Sequence, residues 1–386
     1  MPTHRERSTH RRVNAEYLTL FAEARIIERS AAAIRRIRCN NGRTLIIVPS
    51  LIGDFVTILP AIADFVARRA ETTCDIVVTT TLKPLAECIR GIGAVYVART
   101  THARAGEQPC AGLSGDYEEV IVLRASADVL HHLVPCIRAA RVVTRTREIA
   151  RYIACDLLRH MLFRTRPTQL RDFGFELLGG TPRPIALADL LSIDPDGWDA
   201  RHAATLICPR RTNVVIHTGA SWPMMRWPID RWIALVTELA ATDRYNIIFA
   251  GLEKDRGDLA QICAVARCAV VSAIGLSVVG LVALMGMADS FIGIDSGPGN
   301  VAHLAGLKNV IIYGPGPHIY LSPDPRNVAI DKSNGRGIRQ RYFTTQQGFI
   351  HRISVDEVLH AFAQLSPMNP PMYCAEPDQY AVAAHE

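Results

Sequence analysis

The feature that most constrains this chain is a pattern that occurs twice. Short β-branched runs, each closed by a glycine or another small residue, are separated by segments of helical period. In the first half the runs are TLIIVPS from Thr44, DIVVTT (75–80), AVYVA (94–98), EEVIVLR (118–124) and ARVVT (140–144). In the second half they are NVVIHTG (213–219), YNIIFAG (245–251), FIGID (291–295) and NVIIYGPG (309–316). Continuously apolar strands alternating with helices are the signature of a parallel sheet covered on both faces, so each half predicts a doubly wound α/β domain. Ligands of such sheets gather outside the carboxyl ends of the strands, which directs the search for chemistry to the loops that close these runs.

Between the two series, residues 181–211 are rich in Pro and Asp and poor in periodicity, and they read as an interdomain linker. The expected organisation is an amino-terminal extension (1–40), a first domain (41–180), the linker, a second domain (212–365) and a Pro-rich tail (366–386). In the extension, Leu18, Phe21, Ile26, Ile27, Ala31, Ile34 and Ile37 recur at helical spacing, with Arg25, Arg29, Arg35, Arg36 and Arg38 between them. Such a helix can lie on an anionic membrane surface or pack on the first domain. Packing is favoured because Glu23 and Glu28 dilute the basic face.

Composition removes several classes. With 43 Lys and Arg against 37 Asp and Glu, the net charge of +6 over 386 residues is far from that of a dedicated nucleic-acid binder. The ten cysteines form no C-x-x-C pair, and no apolar leader follows the basic start, which predicts a reducing, cytoplasmic compartment. Neither Cys263 and Cys268 nor His131, His132 and Cys136 have the spacing of a tetrahedral metal site. Asp194 and Asp196 form a D-x-D string, but its prolines and its place in the linker predict a turn.

The most informative string is FIGIDSGPGNVAHLAG (291–306). A buried strand ends near Asp295, a Ser-Gly-Pro-Gly turn exposes backbone amides, and a helix starts near Gly299 and Asn300. Free N–H groups and the positive end of a helix dipole suit a phosphate. The same string also reads as a tight strand-to-helix turn capped by Ser296. No G-K-[ST] follows, so it is not a P-loop.

Together with PSLIGDFVTILPAI (49–62), HTGASWPMMRWPIDRW (217–232), FAGLEKD (249–255), GLSVVGLVALMGMADS (275–290) and YGPGP (313–317), that string resembles the family-nine glycosyltransferases, the ADP-heptose:lipopolysaccharide heptosyltransferases and their relatives. The likeness spans roughly residues 43 to 330. It implies a GT-B fold of two Rossmann-like domains facing a cleft, with the acceptor on the first and a nucleotide sugar, ADP-linked by default, on the second. It also implies metal-independent transfer with inversion to a glycan, protein or small-molecule hydroxyl. A nucleotide-sugar epimerase on the same fold and a nucleotide-binding relative without turnover are the alternatives.

Residue by residue, the resemblance makes Asp54 the base that takes the proton of the acceptor hydroxyl. A helix N-cap is its other reading. Thr218, Ser221 and Arg226 fall where the family holds the diphosphate, Glu253 where it holds the ribose, and Leu276 where it packs the base. Asp295 matches the acid that binds the sugar, while Ser296, Gly297 and Gly299 form the phosphate-cradling turn. Two positions depart from the pattern. Met225 stands where a lysine is expected, leaving Arg226 as the remaining cation, and Asn300 replaces a histidine, with His303 nearly one turn later. His217 reads as a core histidine, and His318 and Tyr320 as loop residues able to cover the donor.

Overall fold

The computed structural model describes residues 22–69, 71–98, 112–123, 125, 127–151, 169–220, 225–266, 268–314, 324–332 and 349–365. The chain divides into two compact units. One runs to Arg183, and the other takes the described residues from Pro184 onward.

Each unit is built on a six-stranded, wholly parallel sheet. The first comprises β1 (Arg35–Arg36), β2 (Arg43–Ile47), β3 (Thr73–Val78), β4 (Ile92–Val97), β5 (Gly115–Val122) and β6 (Ile137–Thr144), in the order β1-β6-β5-β2-β3-β4. The second comprises β7 (Thr212–His217), β8 (Tyr245–Gly251), β9 (Val271–Ile274), β10 (Ser290–Ile294), β11 (Lys308–Ile312) and β12 (Asn327–Ile330), in the order β12-β11-β10-β7-β8-β9. Apart from β1, which is added at the edge beside β6, each series starts mid-sheet at β2 or β7, winds outward through two strands and returns to the other side of that strand. This is the doubly wound Rossmann order, and it places a reversal between β2 and β5 and another between β7 and β10.

The β-branched runs explain the sheets. Leu45, Ile46, Ile47, Val214, Val215, Ile216, Ile292 and Ile312 are fully buried, as strands covered on both faces require. The N-terminal helical segment 22–32 adds Ile27 and Ala31, followed by Ile34, to the same core as Leu45, Tyr117 and Val122, while Glu28 pairs with Arg147 at 2.7 Å. The start of the expected amphipathic stretch, Leu18 and Phe21, lies outside the described residues, as does the tail 366–386. Among the described residues no helix is long and apolar enough to cross a membrane.

Three strands exceed the expected set: β1, β9 and β12. The segment 181–211, expected as a linker, holds a helix at Trp198–Thr205, and Ser277 Oγ donates to Asp199 Oδ1 of that helix at 2.6 Å. Asp194 does sit in a turn, accepting the N–H of Asp196 at 3.0 Å.

One buried acid in the first unit is architectural. Asp75 accepts from Arg43 Nη2 at 2.7 Å, the Ala94 N–H at 2.8 Å and Tyr117 Oη at 3.2 Å. Burial, with Asp75 beside it, pushes the Tyr117 hydroxyl well above the ordinary tyrosine range, so it stays a hydrogen-bond donor.

Candidate active site

Asp54 belongs to the helix Ile52–Ala67, which leaves the carboxyl end of β2 beside the β2/β5 reversal. The N-cap reading is corrected here. Leu51 is the cap residue and makes no side-chain cap hydrogen bond, and Asp54 is the third residue of the first turn. A carboxylate there still benefits from the positive end of the helix. It is 8% exposed and borders an apolar pocket lined by Ile58, Leu123, Ile149, Leu170 and Leu177.

In the second unit the expected donor residues lie on the loops that follow β7, β8, β9 and β10. Phe291, Ile292 and Ile294 seal β10 into the core, and the helix Gly297–Leu304 begins two residues earlier than expected, so that Gly-Pro-Gly is its first turn and not a turn ahead of it. Ser296 is its N-cap, its hydroxyl accepting the Gly299 N–H at 3.4 Å, and Pro298 occupies the first turn, where its missing N–H costs nothing. With Pro298 lacking an N–H, the Gly299 N–H taken by Ser296 Oγ and the Asn300 N–H by the Ser296 carbonyl, the first-turn amide that remains is that of Gly297. Gly299 is buried, and a side chain there would begin 3.3 Å from Ile311 Cδ1. Asn300 is also buried, with its N–H bonded to the Ser296 carbonyl at 3.1 Å. His303 turns away to Asn327, with Nδ1 and Nδ2 2.9 Å apart. Asp295 is half-buried just beyond β10.

At the end of β7, His217 is 6% exposed and its Nδ1 lies 2.7 Å from the Ala250 carbonyl. Burial holds its imidazole below the usual histidine range, in keeping with a core residue. Thr218 Oγ1 donates to Asp258 Oδ2 at 2.7 Å, and Arg226 Nη2 reaches the same oxygen at 2.8 Å. Arg226 Nη2 is also 3.8 Å from Oδ1 of Asp255, which is 1% exposed. That oxygen has no hydrogen-bond partner among the described residues, whereas Asp255 Oδ2 accepts the Leu252 N–H at 3.0 Å. Gly219 is pressed against this carboxylate: a Cβ on it would stand 2.8 Å from both oxygens. Met225 is half-buried, and the next three residues, Arg226 to Pro228, lead into the helix Ile229–Ala241; Trp227 Nε1 donates to the Ile353 carbonyl at 3.0 Å. Ser221, Met224, His318 and Tyr320 lie outside the described residues.

The structure thus joins Thr218 and Arg226 through Asp258, a residue the sequence reading did not single out. The helix Arg256–Ala266 that carries it opens on charged residues, as surface helices commonly do. Glu253 is exposed and accepts from Arg256 Nη2 at 2.8 Å, which holds its carboxyl below the ordinary glutamate range. Leu276 is half-buried and packs toward Gly280. Among the described residues no group of three or more His, Cys, Asp or Glu is arranged to hold a metal ion.

A family model described as glycosyltransferase family 9 (heptosyltransferase) matches residues 191–340. The match takes in β7 to β12 and every expected donor residue. Among solved structures, the family 9 glycosyl transferase from Veillonella parvula DSM 2008 aligns over 86% of this chain and 99% of its own, with TM-score 0.64 and 16% identity. The E. coli ADP-heptose lps heptosyltransferase II aligns over 84% and 98%, with TM-score 0.59 and 18% identity. E. coli heptosyltransferase WaaC with ADP aligns over 84% and 100%, with TM-score 0.62 and 14% identity. The fold is therefore that of the heptosyltransferase-like GT-B proteins, with an α/β sheet in each unit. Curated proteins give no significant sequence match.

Proposed function

We propose that this protein is a family-nine glycosyltransferase that moves a sugar from a nucleoside diphosphate to an acceptor hydroxyl, with inversion and without a metal. The observation that carries the reading is that Thr218 and Arg226 follow β7, and Asp295 and the helix start at Ser296–Gly299 follow β10, the two strands that flank the reversal of the second sheet, with Leu276 after β9. A dinucleotide-type sheet binds its ligand at that point. ADP is the favoured nucleotide, because structural neighbours are described with ADP and as ADP-heptose transferases, and a heptose is the default sugar.

In this mechanism the Gly297 amide at the positive end of the helix Gly297–Leu304 and the guanidinium of Arg226 take up charge as it builds on the leaving diphosphate. Asp295 holds sugar hydroxyls and Leu276 packs the base. Asp54 accepts the proton of the acceptor hydroxyl as that oxygen attacks the anomeric carbon from the face opposite the leaving group. Glu253 serves the ribose only after exchanging its Arg256 partner, so its contribution to nucleotide affinity is expected to be small.

The test is a mass-detected assay of ADP-heptose with candidate acceptors in the presence of a chelator. The wild type is expected to release ADP and form a glycoside. Asp54→Asn is expected to lose about 10²- to 10⁴-fold in rate, the usual contribution of a general base, while binding ADP as the wild type does. Full activity in that variant would remove Asp54 from the chemistry.

A further inference from the structure

Both side chains expected to hold the diphosphate, Thr218 and Arg226, converge on one oxygen of a third residue. Asp258 Oδ2 accepts from Thr218 Oγ1 at 2.7 Å and from Arg226 Nη2 at 2.8 Å. A threonine hydroxyl has one proton, so while Thr218 donates to Asp258 it has none to offer a phosphate oxygen. The same Nη2 of Arg226 is also the group facing the buried Asp255, whose Oδ1 has no hydrogen-bond partner among the described residues. One guanidinium therefore faces two carboxylates, and Met225 adds no charge where a second cation is expected.

We propose that the Asp258 carboxylate competes with the nucleotide's diphosphate for Thr218 and Arg226, and thereby sets how tightly this site holds a nucleoside diphosphate. The proposal rests on the donor-site reading above and adds a residue which that reading does not contain. Geometry makes the exchange feasible. Arg226 is 43% and Asp258 22% exposed at the side chain, so their ion pair is partly solvated and cheap to break. A carboxylate and a phosphate oxygen are both acceptors for the same donor types, so a diphosphate can take over both bonds with its own oxygens. The released carboxylate then stays beside the phosphates and opposes them. That opposition is greater for the free diphosphate product, which gains a charge on leaving the sugar, than for the intact donor.

The experiment is calorimetric titration of the full-length protein with ADP, inorganic pyrophosphate and adenosine, comparing wild type, Asp258→Asn, Asp258→Ser, Arg226→Ala and the Arg226→Ala/Asp258→Asn double variant. Removing the charge is expected to tighten ADP and pyrophosphate by about tenfold in both Asp258 variants and to leave adenosine unchanged. In the Arg226→Ala background a smaller gain is expected, because only the Thr218 bond and the carboxylate's own repulsion are left to remove. Unchanged or weaker ADP binding in the Asp258 variants overturns the proposal and makes Asp258 a residue that only orients Arg226. ADP binding that is insensitive to Arg226→Ala overturns it too, leaving the nucleotide reading in place. Failure of every variant and the wild type to bind ADP or pyrophosphate defeats both.

Discussion

Gly219 shows how closely single positions constrain this site. With a methyl group placed 2.8 Å from both oxygens of the buried Asp255, Gly219→Ala forces either the carboxylate or the loop after β7 to move. We expect a loss of about 1–3 kcal/mol, the usual cost of overpacking, read as a lower urea midpoint. His217, on the same strand end, supplies the pH dependence. Its folded-state pKa is lowered by burial, so the folded protein binds the proton less readily than the unfolded chain does. Its contribution is intact above the unfolded value of about 6.5 and is lost as pH falls below that value, by at most about 1.4 kcal/mol per pH unit. Urea melts at pH 7.5 and 5.5 should show that decline in the wild type and a smaller one in His217→Gln. An identical decline in both would assign it to other groups.

At the scale of elements, the helix Val278–Met287 depends on Ser277, whose Oγ accepts the Gly280 N–H at 3.0 Å and donates to Asp199 at 2.6 Å. Ser277→Ala removes a cap and leaves Asp199 without that donor. The expected cost is about 1–2 kcal/mol in chemical denaturation, and a cost near zero would mean that the Trp198–Thr205 helix is held by packing alone. That helix was illegible in the sequence because its eight residues, WDARHAAT, carry no apolar stripe, and its position depends on distant Ser277. The long β-branched strands were legible because burial on both faces demands such runs. The strands β1, β9 and β12 were not, since Arg35–Arg36, Val271–Ile274 and Asn327–Ile330 are too short or too polar to stand out. The turn at 296–299 was readable because serine, glycine and proline have positional meaning at a helix start. Asp258 was not, because a charge in DRGD reads as solvated until the fold brings Thr218 and Arg226 to it.

For the whole molecule, two sheets of related winding put Asp54 after β2, and Thr218 and Ser296 after β7 and β10, each beside the reversal of its own sheet. A chain with a net charge of only +6 has little overall field to draw in an anionic donor, so recognition depends on local groups. In the proposed reading those groups are the Gly297 amide after Ser296 and Arg226, which shares itself with Asp255 and Asp258. The most direct test of this account is calorimetric titration of the intact protein with ADP in the presence of a chelator, beside Arg226→Ala. The account predicts metal-independent ADP binding that Arg226→Ala weakens by about 1.5–3 kcal/mol, the range for hydrogen bonds to charged groups. Absence of ADP binding in the wild type would contradict it.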